Sequence, residues 1–191
     1  EAVETMTELI EYYKGIFTIL SSCASRQLEE VTFRRTVIPV QELLDAAGKY
    51  FKKLMKNRSE RIELEIEPME AKVIGDVNQL RFLLENLIDE ALTVREDGVI
   101  RLQARKDNEY IRFLFTDTRR EKSVEELNQL FYPNLARMTS GEKGELRGTE
   151  YLVCKQIIRD HDEFAGRRGC RINAEPAEGG GFTVYFTIPR R

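Results

Sequence analysis

Apolar residues recur at helical spacing from the start of the chain. Met6, Leu9, Ile10, Tyr13, Phe17 and Leu20 fall on one stripe, and residues 1–32 contain no Pro and only Gly15. That pattern predicts a long amphipathic helix, broken before the extended Thr36-Val37-Ile38-Pro39. A second helix is expected from Val40 to Lys56, with Leu43, Leu44, Ala47 and Phe51 on one face. Lys52, Lys53, Lys56 and Arg58 gather at its end, where cations suit the helix dipole. The period then changes to two: Ile62, Leu64 and Ile66 alternate with Glu63, Glu65 and Glu67, the signature of a strand with one buried face.

Lys72 to Ile74 reads as a short strand ended by Gly75. Asp76 is placed to cap a helix running to about Arg95, on which Leu80, Leu83, Leu84, Leu87, Ile88 and Ala91 form one stripe. Val99 to Lys106 and Tyr110 to Thr116 alternate as two strands of a hairpin turning at Asp107-Asn108. Ser123, with Glu126 three residues on, predicts a capping box and a helix to Leu130 that Pro133 stops. Residues 134–148, with Gly141, Gly144 and Gly148 among charges, read as a loop. A helix from Tyr151 to Asp160 and strands at Arg171–Glu175 and Phe182–Pro189 complete the chain. Strands arriving in pairs between helices predict an α+β sandwich, one mixed sheet with helices on one face.

Composition narrows the function. A 41% hydrophobic share in 191 residues fits one cored domain with an appendage, and a net charge of -3 gives no broad attraction to nucleic acid. The doublets Arg34-Arg35, Arg119-Arg120 and Arg167-Arg168 are scattered and balanced by acids, so they read as solvated faces. Cys23, Cys154 and Cys170 are widely spaced and include no Cys-x-x-Cys, which favours reduced thiols in a cytoplasmic setting and makes a poor zinc site. No apolar run approaches the ~20 residues of a membrane span, so no membrane contact is expected from this segment. The chain opens at Glu1 already in a helical pattern, so a larger polypeptide with an upstream membrane anchor or further domains is expected.

Asn86 and Glu90 are the candidate chemistry within the apolar pattern. Spaced i,i+4, they stand on one line at the edge of the stripe. An amide and a carboxylate so placed can share a divalent cation, because hard cations prefer oxygen ligands; equally, two polar residues there can mark the border of the core.

Five segments, in order, carry a family resemblance. Asp76, Leu80, Leu84, Asn86, Leu87, Glu90 and Ala91 resemble the N box of histidine kinases, D-x-x-x-L-x-x-x-L-x-N-L-L-x-N-A. Phe115 to Thr118 resembles the strand end carrying the first glycine box, D-x-G-x-G, and Leu130-Phe131-Tyr132-Pro133 the F box. Lys155 to His161 resembles the helix after the second glycine box, and Gly180 to Pro189 the closing strand.

The resemblance implies a Bergerat-type two-layer α/β sandwich with a mixed sheet, preceded by a long helix: the ATP-binding domain of a two-component sensor histidine kinase over 36–191. Residues 1–35 are similar to the second helix of the dimerising hairpin, which implies a homodimer through residues 1–32 and a response regulator or other signalling domain as partner. The implied ligands are ATP and Mg²⁺. Asp117 falls where the family accepts the adenine amino group. Asn86 matches the first N-box asparagine, with a catalytic and metal-binding role, and Glu90 replaces the asparagine that ligates Mg²⁺. Gly148 and Thr149 begin the second glycine box, and His161 matches a structural histidine, not the phosphoacceptor.

The departures from the family are local. Arg119 and Glu121 stand in place of the first-box glycines, Glu150 stands beside the expected phosphates, Thr93 replaces a phosphate-contacting lysine, and Asp162–Gly169 is an insertion. Side chains where backbone and nucleotide should meet closely cost space, and a carboxylate at a helix N-terminus competes with phosphate for it. The phosphate end of the pocket is therefore expected to be damaged, so that ATP binding is weak or lost, and the adenine end retained. Two functions follow: phosphoryl transfer from ATP to a partner histidine, or a pseudokinase signalling as a dimeric scaffold.

Overall fold

The structure, a computed structural model, describes residues 2–10, 13, 33–133, 139–140 and 146–191. The expected lead helix is seen as α1 (residues 2–10); most of its continuation to residue 32, and Cys23 with it, lies outside the described residues, as does much of the expected loop at 134–148. The elements then run β1 (Thr36–Pro39), α2 (Val40–Met55), β2 (Ile62–Ile66), β3 (Lys72–Gly75), α3 (Val77–Ala91), β4 (Gly98–Asp107), β5 (Tyr110–Asp117), α4 (Val124–Asn128), β6 (Thr139–Ser140), β7 (Leu146–Arg147), α5 (Glu150–Phe164), β8 (Ile172–Pro176) and β9 (Phe182–Pro189).

The main sheet has the strand order β2-β4-β5-β9-β8. β2 runs parallel to β4 and the other pairings are antiparallel, so the sheet is mixed. Alternation of side chains puts every second residue on one face, and the register aligns these residues across three strands. Ala104, Phe113 and Phe186 form one row, Leu102, Phe115 and Val184 the next, and Ile100, Asp117 and Phe182 the last. Phe113 and Phe186 stack at 4.8 Å. Against these rows pack Leu43, Leu44 and Phe51 of α2, Leu80, Leu83, Leu84 and Leu87 of α3, and Cys154, Ile157 and Ile158 of α5, all in one buried core. Fully burying such a side chain contributes about 1.5–3 kcal/mol before entropy is counted. Asp117 is thus a carboxylate on the core-facing row, 1% exposed.

The α+β sandwich expected from the sequence is present, with four corrections. β1 and β3 form their own two-stranded sheet, touching the main sheet through a bridge between Val73 and Arg190; Pro189, with no N–H, stands where a ladder would have to continue. Second, the hairpin turns at Asn108-Glu109, one residue later than expected, with Asn108 at φ 54, a conformation asparagine tolerates. Third, α3 stops at Ala91 instead of about Arg95 and α4 at Asn128 instead of Leu130; after α3 the backbone tightens to i→i−3 bonds, Thr93 to Glu90 and Val94 to Ala91. Fourth, α5 continues past Asp160 to Phe164 and ends where Gly166 takes φ 93, the left-handed residue that closes many helices.

The expected caps form. Asp76 accepts from the backbone N–H of Asn78 and Gln79, and Ser123 and Glu126 make a reciprocal capping box. Cys154 and Cys170 are buried free thiols. No described helix is long and apolar enough to cross a membrane.

Candidate functional site

The site grows from the end of β5. Asp117 is the last residue of that strand, and the chain turns at once through Thr118, Arg119 and Arg120. The carboxylate is encircled by this turn. Oδ1 accepts from the backbone N–H and from Nε of Arg119, both at 3.0 Å. Oδ2 accepts from Nη2 of Arg119 and from Nε of Arg120, both at 3.0 Å. A carboxylate offers about four lone-pair positions, and here all four are taken by its own chain.

Arg119 is as buried as the acid it serves, its side chain 1% exposed. Its remaining donors go to carbonyls at and just after the end of α3: Ala91 at 2.6 Å, Val94 at 3.1 Å and Glu96 at 3.0 Å. The last carbonyls of a helix lack intrahelical partners, and this guanidinium caps that of Ala91, the final residue of α3.

Arg120 bridges two acids. Besides Asp117, it lays both terminal nitrogens on Glu90, at 3.0 and 2.8 Å, the bidentate geometry of the strong arginine–carboxylate pair. Its guanidinium lies 5.3 Å from the ring centre of Phe182. Burial works against its charge, but Glu90 more than compensates and holds its pKa above the ordinary value. Tyr151, the second residue of α5, donates its hydroxyl to the same Glu90 oxygen that receives Arg120 Nη2. Burial first, then the Glu90 charge, pushes the Tyr151 pKa well up, so the phenol stays protonated. Phe131, from the segment resembling the F box, packs edge-on against Tyr151.

The other expected site residues have local employment. Asn86 is buried and donates its amide to the Phe82 carbonyl one turn back, at 2.8 Å. Thr93 gives its hydroxyl to the Glu90 carbonyl. Gly148 takes φ 84, and Thr149 precedes α5 without a side-chain cap bond. Glu150, the first residue of α5, places a carboxylate at that helix N-terminus, where the backbone N–H groups of Glu150 and Gly148 favour its charged form. Burial, with Glu90 and Asp89 nearby, raises its pKa. Glu121 accepts from the backbone N–H of Gly181 at 3.0 Å, tying the first-box turn to the β8–β9 hairpin. Gly181 has no room for a side chain, because a Cβ there would collide with the Asp117 carbonyl.

His161 is fully buried in the structural role expected of it. Nε2 accepts the backbone N–H of Asp76 at 3.1 Å, so Nδ1 carries the proton and donates to the Ile157 carbonyl at 2.8 Å. Burial lowers its pKa to about 4, against the opposing pull of Ile157 and Asp76. A cleft of about 290 Å³ lined by Arg35, Val37, Ile74, Gly166 and Arg167 also reaches Pro189. Pro189 is paired with Tyr110, at the opposite end of β5 from Asp117, so this cleft is separate from the site.

The family of histidine kinase-, DNA gyrase B- and HSP90-like ATPases (HATPase_c) matches residues 75–191, more than half of the chain. The chain belongs to this family. Among solved structures, this HATPase_c domain resembles the catalytic domain of histidine kinase ThkA, at 21% identity and TM-score 0.63 over 82% of this chain and 97% of that one. The mycobacterial sensor histidine kinase MprB matches at 19% identity and TM-score 0.63, over 83% and 99% of the two chains. Histidine kinase ThkA in complex with response regulator protein TrrA matches at 20% identity and TM-score 0.64, over 98% and 52%. These likenesses establish the fold, that of histidine kinase catalytic domains. No curated protein matches the sequence.

Membership implies ATP as the family's ligand. The donor set of this chain does not fit a nucleotide–metal complex as it stands. Asp117 has no free acceptor position for a base amine, and Glu90 already carries Arg120 and Tyr151 where a cation would need it. Among the described residues no group of three or more His, Cys, Asp or Glu is placed to hold a metal ion. The sequence reading located Asp117 and Glu90 but missed what joins them. Arg120 and Tyr151 stand beside the replaced glycine positions and carried no motif signal of their own, and Arg119 read as an intruder on the ligand when it is a partner of the acid.

Proposed function

We propose that this chain is the ATP-binding-type domain of a two-component sensor histidine kinase that has given up nucleotide turnover and signals as a dimeric scaffold. The observation that carries the reading is the saturation of Asp117 by Arg119 and Arg120. Three of the chain's own side chains stand in for parts of the ligand. Arg119 takes the place of the base amine on Asp117, Arg120 supplies the cation beside Glu90, and Glu150 supplies the anion at the start of α5. A nucleotide entering with Mg²⁺ would have to break two arginine–carboxylate pairings of low exposure, and breaking such pairs one-sidedly costs about 3–5 kcal/mol each. On this reading Asn86, Glu90, Gly148 and Thr149 keep the family's positions without its ligand contacts.

The scaffold half rests on α1. Val3, Met6, Leu9, Ile10 and Tyr13 are all exposed, and an apolar stripe of this kind is a surface for a partner. We assign residues 1–35 to dimerisation and 36–191 to the sandwich, in a cytoplasmic setting. Its partner is a response regulator or similar signalling domain, by analogy with the ThkA–TrrA complex. Light scattering at tens of micromolar, with and without Mg·ATP, tests this together with a phosphate-release assay. A dimer whose mass ignores the nucleotide, with no phosphate released, is expected; a monomer, or steady ATP hydrolysis lost in Asp117→Ala, overturns the reading.

A further inference from the structure

Guanidinium has five N–H donors in a rigid planar fork. In Arg119 each of them is matched. Nε donates to Asp117 Oδ1, Nη2 to Asp117 Oδ2 and the Ala91 carbonyl, and Nη1 to the carbonyls of Val94 and Glu96. The partners are one carboxylate, the carbonyl of Ala91 at the end of α3, where the helix dipole is negative, and the carbonyls of Val94 and Glu96 just after it. The aliphatic stem crosses Gly98, where a Cβ would lie 2.6 Å from Arg119 Cγ. The shape is selective: an ammonium has three donors on one atom and cannot reach acceptors spread around a plane, and an uncharged amino group leaves the buried carboxylate with Arg120 alone as its counter-charge.

We infer that Asp117 and the C-terminal end of α3 form a guanidinium-binding site, occupied in the native chain by the side chain of Arg119. The inference deepens the proposed function, since the site is the one where the family places its base. It adds that the acceptors persist without the native occupant, so that a free N-alkylguanidinium cation can take its place. Removing the side chain by Arg119→Ala leaves the acidic oxygens of Asp117 and the three carbonyls facing a hole of guanidinium shape.

The test is thermal melting of the full chain carrying Arg119→Ala, with millimolar ethylguanidinium and, separately, ethylammonium. The expected result is a lowered midpoint that rises by several degrees with ethylguanidinium and not with ethylammonium, while the unsubstituted chain shifts with neither. Equal shifts with both cations, or none with either, overturn the inference. A variant that does not fold is covered by proton exchange in the unsubstituted chain. Arg119 Nε–H should exchange at least about tenfold more slowly than that of Arg168, whose side chain is 76% exposed; equal rates overturn the site. ATP binding by the unsubstituted chain would remove the scaffold reading and leave the ethylguanidinium result standing, so the two failures are distinguishable.

Discussion

Arg120 and Glu90, thirty positions apart, meet through two hydrogen bonds of 3.0 and 2.8 Å, with both side chains at low exposure. This pair fastens the turn after β5 to α3, and Tyr151 adds α5 to the same carboxylate. Three elements that a nucleotide joins elsewhere in the family are joined here by side chains.

If that pair is a structural tie, a double-mutant cycle with Glu90→Gln and Arg120→Met should give a coupling energy of about 1–3 kcal/mol in urea unfolding. Tyr151→Phe should cost about 1.5–3 kcal/mol, the net worth of a hydrogen bond to a charged group after solvent exchange. A coupling near zero would mean the pair contributes no more than an exposed one.

Asp117→Ala leaves Arg119 buried and unpaired, and should destabilise the domain by about 3–5 kcal/mol. The exposed pair Arg101–Glu65, 3.0 Å apart with side chains 46% and 53% exposed, is the internal control; Glu65→Ala should cost less than about 1 kcal/mol. Denaturant melts of the two variants side by side decide it.

His161 gives a pH dependence with a definite sign. Its folded pKa, about 4, lies below the ordinary histidine value because the neutral ring is buried and accepts from Asp76. The unfolded chain therefore binds the proton first as pH falls. Stability from the neutral ring is complete above about pH 6.5 and declines towards pH 4, by about 3 kcal/mol in all. Glu150, with its raised pKa, acts in the opposite sense at the acid end of this window, so the measurement is a difference. The pH profile of unfolding free energy should be flatter across this window in His161→Gln than in the parent chain. Parallel profiles would contradict the assignment.

Much of this architecture was legible in the sequence because it is local. Period-two alternation located the rows through Ile100, Leu102 and Ala104, the stripe on α3 named its buried leucines, and Asp76 and Ser123 announced their helices. What was not legible is what a long side chain does after a turn. Arg119 can point outward across a ligand cleft or fold back on Asp117, and the choice depends on carbonyls at 91, 94 and 96, at and after the end of a distant helix. The end of α3 at Ala91 was not legible either, because no glycine or proline marks it before Gly98. Gly166 marks the true end of α5, which runs past the expected boundary at Asp160 to Phe164, with Ala165 as its cap.

On the scaffold reading the chain itself fills the site around Asp117. Titration calorimetry of the full chain with a non-hydrolysable ATP analogue, with and without Mg²⁺, should then give no saturable heat, meaning a dissociation constant weaker than about 1 mM. Binding at about 10 μM that disappears in Asp117→Ala would contradict it.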